Sequence, residues 1–104
     1  MKEFIKKDAW VYIIIQNPDA DEQILGLQEK ENDTLFIPAF LKKEDAEDCF
    51  LNIPRPAGIK HQIQAIIFEE LTDHAAKNNY EIFFLDNTGK VLEKNKTMNV
   101  GIAR

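Results

Sequence analysis

The sequence predicts an α+β domain, a mixed β-sheet of five to six strands carrying two helices. Three observations predict it. Trp10–Gln16 is β-branched and aromatic on both alternating faces and residues 83–85 are apolar on both, as strands set inside a sheet are. Residues 42–52 and 68–78 change to a helical period, with apolar positions recurring every three to four residues. Asn, Asp, Pro and Gly cluster between these runs and punctuate them. A chain of 104 residues with 44% hydrophobic content is read as a single domain over residues 1–104.

Taken in order, Trp10–Gln16 is the first core strand. Asn17, Pro18 and Asp19 supply turn chemistry, because Asn and Asp side chains bond their own backbone and proline presets φ. Ile24, Leu25, Gly26 and Leu27 form a short apolar piece read as a strand, with a helical turn from Asp19 as its rival. Residues 28–33 are wholly polar and read as a hairpin loop. Residues 34–40 form the next strand, and Pro38 places it at an edge or where pairing ends, since proline brings no ladder donor.

The first helix follows, with Ala46, Cys49, Phe50 and Ile53 on one face. Pro54, Pro56 and Gly58 end it in a stiff loop. Residues 62–67 are a strand. The second helix then turns Phe68, Leu71 and Ala75 inward, with Glu69 and Glu70 in the first turn, where carboxylates suit the helix dipole. Asn78 and Asn79 are a left-handed stop. Residues 80–85 return as a strand, Gly89 offers the positive φ of a bulged hairpin, and Val91 and Leu92 return as its short partner strand. The tail from Asn95 to Arg104 alternates weakly. Two strand-helix-strand units imply right-handed crossovers and partly parallel pairing.

Composition excludes more than it proposes. No serine occurs, so no seryl nucleophile exists. The single cysteine, Cys49, forms no internal disulfide, and no N-terminal apolar run precedes a small-residue cleavage site, so the expected location is cytoplasmic. No run of about 18 apolar residues is present to span a membrane. A net charge of −5 with Arg55 and Arg104 as the only arginines speaks against nucleic acid as a partner. His61 and His74 lack ligand spacing, Asp19 and Asp21 fail the calcium-loop pattern at its sixth and twelfth positions, and the glycines are scattered; no metal, cofactor or catalytic residue is expected.

Phe36-Ile37-Pro38-Ala39-Phe40, the following Lys42-Lys43-Glu44-Asp45-Ala46, the strand ending Ala65-Ile66-Ile67, the helix with Leu71, and residues 82–89 carry a resemblance. Over residues 36–89, about half of the chain, the sequence resembles the N-terminal domain of the SseB family, in which a hydrophobic-Pro-x-Phe strand opens a helix. It departs from that pattern at Asp86-Asn87-Thr88-Gly89, where the family commonly has an Asn-Pro-Gly turn. The resemblance implies a mixed α/β domain described around secretion or as a protein-interaction module, and it implies no catalytic residues.

Three surfaces are candidates for function. Trp10, Tyr12, Phe83 and Phe84 lie in strands; two helices on one sheet face would leave the other open, so these aromatics are the expected interface, with a homodimer or another protein as partner. Glu44, Glu47 and Asp48 form an acidic helix face able to dock a basic partner, as an inhibitor or immunity-type protein would. Arg55 and His61 mark a ligand loop for the alternative of a small-ligand-binding regulatory module. The leading expectation is a non-enzymatic domain acting through protein contacts.

Overall fold

β-branched and aromatic runs form strands here, and amphipathic runs between them form two helices, giving an α+β fold. The computed structural model describes residues 5–19, 22–31, 33–52 and 58–95. Among them, in chain order, are β1 (Trp10–Gln16), β2 (Gln23–Ile24), β3 (Leu27–Gln28), β4 (Leu35–Ala39), α1 (Lys43–Phe50), β5 (His61–Ile67), α2 (Phe68–Lys77), β6 (Glu81–Leu85) and β7 (Val91–Asn95). The expected single sheet of five to six strands is instead seven strands in two sheets, ordered β2-β1-β5 and β3-β4-β6-β7.

Among the described residues one isolated antiparallel bridge knits the sheets together. Tyr12 and Phe40 exchange both backbone hydrogen bonds, each with an N···O distance of 2.9 Å. Beyond that bridge β1 and β4 part, and the segment from β2 to β3 fills the split: Gln23 and Ile24 pair with β1, and Leu27 and Gln28 pair with β4. The short apolar piece is therefore extended, but it serves one sheet and then the other. β4 lies inside its sheet, between β3 and β6. Phe40 donates its N–H to Tyr12, and residues two apart on a strand point their donors the same way. The donor that Pro38 lacks would thus point into the gap between the partners of Phe36 and Phe40, which is where pairing ends.

β4 runs parallel to β6 and antiparallel to β1 at the bridge, and β1 runs antiparallel to β5, so β4, β5 and β6 share one direction. Passing from β4 through α1 to β5 crosses β1 one way; passing from β5 through α2 to β6 crosses back. Crossovers of the same hand that travel in opposite directions place their helices on opposite faces. Phe68, Leu71 and Ala75 of α2 accordingly pack with Val11, Ile13, Ile15, Ile37, Ile82 and Phe84. On the other face Ala46 and Cys49 of α1 pack with Ile14, Leu25, Phe40, Phe83 and Leu85. The expectation that both helices cover one face is overturned, because it overlooked the reversal of travel at β5.

The termini of the elements follow the residues that carry them. Asn79 takes φ 62° just past α2, with Asn79 N–H donating to the Ala76 carbonyl and Tyr80 N–H to the Ala75 carbonyl, a left-handed stop of the Schellman type. Gly89 takes φ 91° in the β6–β7 turn, and the register shift opposite Leu85 leaves Leu92 bulged out, as the turn residues imply. α1 turns Ala46 and Cys49 inward with Phe50 half-buried. Ile53, expected on the same face, lies outside the described residues, as does the tail after Asn95.

Candidate functional site

The two halves of the expected aromatic interface have different fates. Phe83 and Phe84 are core residues, 1% and 2% exposed. Phe84 meets Phe68 of α2 with ring centroids 5.9 Å apart. Phe83 stacks on Phe36 at 4.2 Å and carries the Lys94 ammonium 5.0 Å from its ring centre, while that ammonium also pairs with Glu29 at 3.1 Å. An aromatic neighbour and a lysine stem thus complete the cover that α1 begins on this face. Trp10 and Tyr12 remain available: Trp10 is 59% exposed and Tyr12 is half-buried.

Trp10 and Tyr12 stand beside the outer edge of a sheet. In the β1–β5 ladder Trp10 is opposite Ile67, Tyr12 opposite Ala65 and Ile14 opposite Ile63, so these six side chains share the α1 face. α1 covers the far end only: Ile63 packs into its cluster, and the Phe50 ring lies 5.4 Å from that of His61. Ala65 is exposed, Ile67 is half-buried, and Leu41, just before α1, is also exposed.

The edge itself is the feature the sequence reading missed. Asn17 N–H donates to the Lys60 carbonyl at 2.9 Å, and Phe68 N–H to the Ala9 carbonyl at 2.8 Å. Those two hydrogen-bonded pairs fix the alternation of an antiparallel ladder, so Gln62, Gln64 and Ile66 face β1 with their backbone groups. The amides of His61, Ile63, Ala65 and Ile67 and the carbonyls of the first three point the other way, where no strand among the described residues pairs with them, while the Ile67 carbonyl serves the first turn of α2. The opposite outer edge, β7, carries Glu93 and Lys94 and is broken by its bulge, two devices that discourage strand addition. β5 has neither. Its sequence, His-Gln-Ile-Gln-Ala-Ile-Ile, contains no lysine, no acid and no proline over seven residues, and that absence was the available signal.

The other candidates are not brought into this site. Glu44, Glu47 and Asp48 are exposed on the outer side of α1. Arg55 lies outside the described residues, so its pairing with His61 is not described; His61 is held half-buried against Phe50. His74 lies on the α2 face, lining an open hollow of about 450 Å³ with Ile15, Glu22, Tyr80 and their neighbours. Cys49 is buried, and burial first and then the nearby Asp86 carboxylate push its thiol pKa up, away from nucleophilic chemistry. Among the described residues no group of three or more His, Cys, Asp or Glu is placed to hold a metal ion, and no helix is long and apolar enough to cross a membrane.

No family model, curated protein or solved structure matches this chain. The site is therefore defined by its own geometry: a strand edge free of Lys, Arg, Asp and Glu, unpaired among the described residues and flanked by an exposed tryptophan and small or half-covered apolar side chains. Such an edge offers backbone donors and acceptors to an extended chain, and its flanking residues offer apolar contact.

Proposed function

We propose that this is a non-enzymatic, cytoplasmic domain that works through protein contacts made at the outer edge of β5 and the Trp10–Tyr12 surface beside it. One observation carries the reading: β5 is a seven-residue edge without the charges, proline or bulge that keep strands from pairing. A cytoplasmic location accords with a single, buried, unpaired thiol. A non-enzymatic role accords with the lack of serine and with His61 and His74 standing on opposite faces. Kinship with SseB-type domains rests on the sequence resemblance over residues 36–89 alone.

Selection of binders from a displayed library of extended peptides tests this reading, with the wild type and Ala65→Pro compared. Proline at this position removes an outward N–H that β1 does not use. Peptides that bind the wild type and lose binding to Ala65→Pro, with circular dichroism unchanged, are expected. Peptides that bind both proteins equally would place the contact elsewhere. A second reading, docking of a basic protein on α1, is favoured by the exposure of Glu44, Glu47 and Asp48 and would show as binding abolished by their joint charge reversal.

A further inference from the structure

We infer that the partner at the β5 edge is a second copy of this chain, paired antiparallel about a two-fold axis through Gln64; this rests on the protein-contact reading and names its partner. A two-fold axis perpendicular to the sheet sets each residue opposite its mirror position along the strand. With the axis at Gln64, Ile63 faces Ala65 of the second copy and His61 faces Ile67, each in both directions. All four turn their amides outward, and the first turn of α2 takes up the carbonyl of its N-cap Ile67, so the Ile63–Ala65 pairs exchange both bonds and the Ile67 amide meets the His61 carbonyl. An axis at Ile63 or Ala65 leaves outward groups at one end of the strand without a partner.

The surfaces beside the edge favour the same arrangement. On the α1 face the exposed Trp10 lies next to Ile67, at one end of β5. At the other end, Phe50 lies against His61, and Leu51, 72% exposed, follows it. Antiparallel pairing about Gln64 brings the His61 end of one copy beside the Ile67 end of the other. The open tryptophan of each then meets the Phe50–Leu51 shoulder of its partner, and both exposed apolar ends are covered at once. A chain of net charge −5 repels a second copy over most of its surface, but β5 carries no Lys, Arg, Asp or Glu.

Gln64 is exposed and touches the two-fold, which makes the test specific to this register. In sedimentation or light scattering at micromolar concentration the wild type is expected at twice the 12.0 kDa of one chain. Gln64→Lys and Gln64→Glu each set like charges opposite one another and are expected to weaken the dimer by roughly tenfold or more, whereas an equimolar mixture of the two restores it. A wild type that stays monomeric when concentrated overturns the inference, and so does a dimer that both variants leave unchanged or that their mixture fails to restore. A monomeric wild type that still selects peptides sensitive to Ala65→Pro would overturn the self-pairing alone and leave the protein-contact reading standing.

Discussion

The ring of Tyr80 lies against Gly26 where any side chain would have to stand. Gly26 is at the corner where the chain leaves β2 for β3, and Tyr80 closes the stop of α2, so this contact locks the junction of the two sheets to the second helix. An added methyl would force the tyrosine out. Gly26→Ala is expected to cost about 1–3 kcal/mol, the range of overpacked sites. Because the obstruction is the ring itself, Gly26→Ala in a Tyr80→Ala background should cost markedly less. Urea unfolding of the two singles and the double would give a coupling on the order of 1 kcal/mol; additive losses would contradict the contact.

Phe83 and Phe84 bury on opposite faces, so each replacement by alanine opens a cavity in a different cluster. Each is expected to lower stability by about 3–5 kcal/mol in chemical denaturation. Trp10→Ala, exposed, should change monomer stability by far less than either. The ordering of the three values separates core from surface aromatics.

Cys49 should label slowly. Its thiol is buried and its pKa is raised, first by burial and then by Asp86, so little thiolate is present at neutral pH and little of it is reachable. Native protein is expected to react on the order of a hundredfold or more slowly than urea-unfolded protein with a thiol reagent, as reaction must wait for local opening. Equal rates in the two states would contradict the packing of α1.

The Asp86 carboxylate should titrate below the ordinary carboxylate range. Its Oδ1 accepts from the Thr88 hydroxyl at 2.7 Å, the Lys90 N–H at 3.0 Å and the Thr88 N–H at 2.8 Å, and these bonds favour the charged form, with Lys90 adding a smaller attraction. A folded pKa below the unfolded one gives stability that is fully present above the unfolded value, about 3.9, and is lost as pH falls through the lowered one. Carbon-detected NMR titration should find the Asp86 midpoint lower than that of an ordinary exposed aspartate, and Asp86→Ala should flatten the acid limb of stability against pH.

Much of this fold was legible in the residues. β1 reads as doubly covered because it is apolar on both alternations, and it is buried on both faces; α2 shows its inward face in Phe68, Leu71 and Ala75 and its stop in Asn79. The division into two sheets was not legible. It depends on β1 changing outer partners part-way along, from Phe40 at Tyr12 to β2 at Ile15, and nothing local to Trp10–Gln16 encodes a neighbour. The placing of Phe83 and Phe84 followed from which face each helix takes, a matter of crossover direction rather than of periodicity. The open edge of β5 was written in the absence of charge from that segment, but which strand is outermost is a property of the assembled sheet.

The pairing of β1 with β5 also sets a timetable. During synthesis Trp10–Gln16, with Val11, Ile13, Ile14 and Ile15 destined for the interior, emerges long before His61–Ile67 exists to receive it. At ~5–20 residues per second this apolar strand waits several seconds without its main partner, and its brief contacts with β2 are too short to shield it. The nascent chain therefore has a window in which its most adhesive segment is unguarded. Conditions that lengthen that wait, such as slowed elongation ahead of β5, are where this protein is most exposed to aggregation.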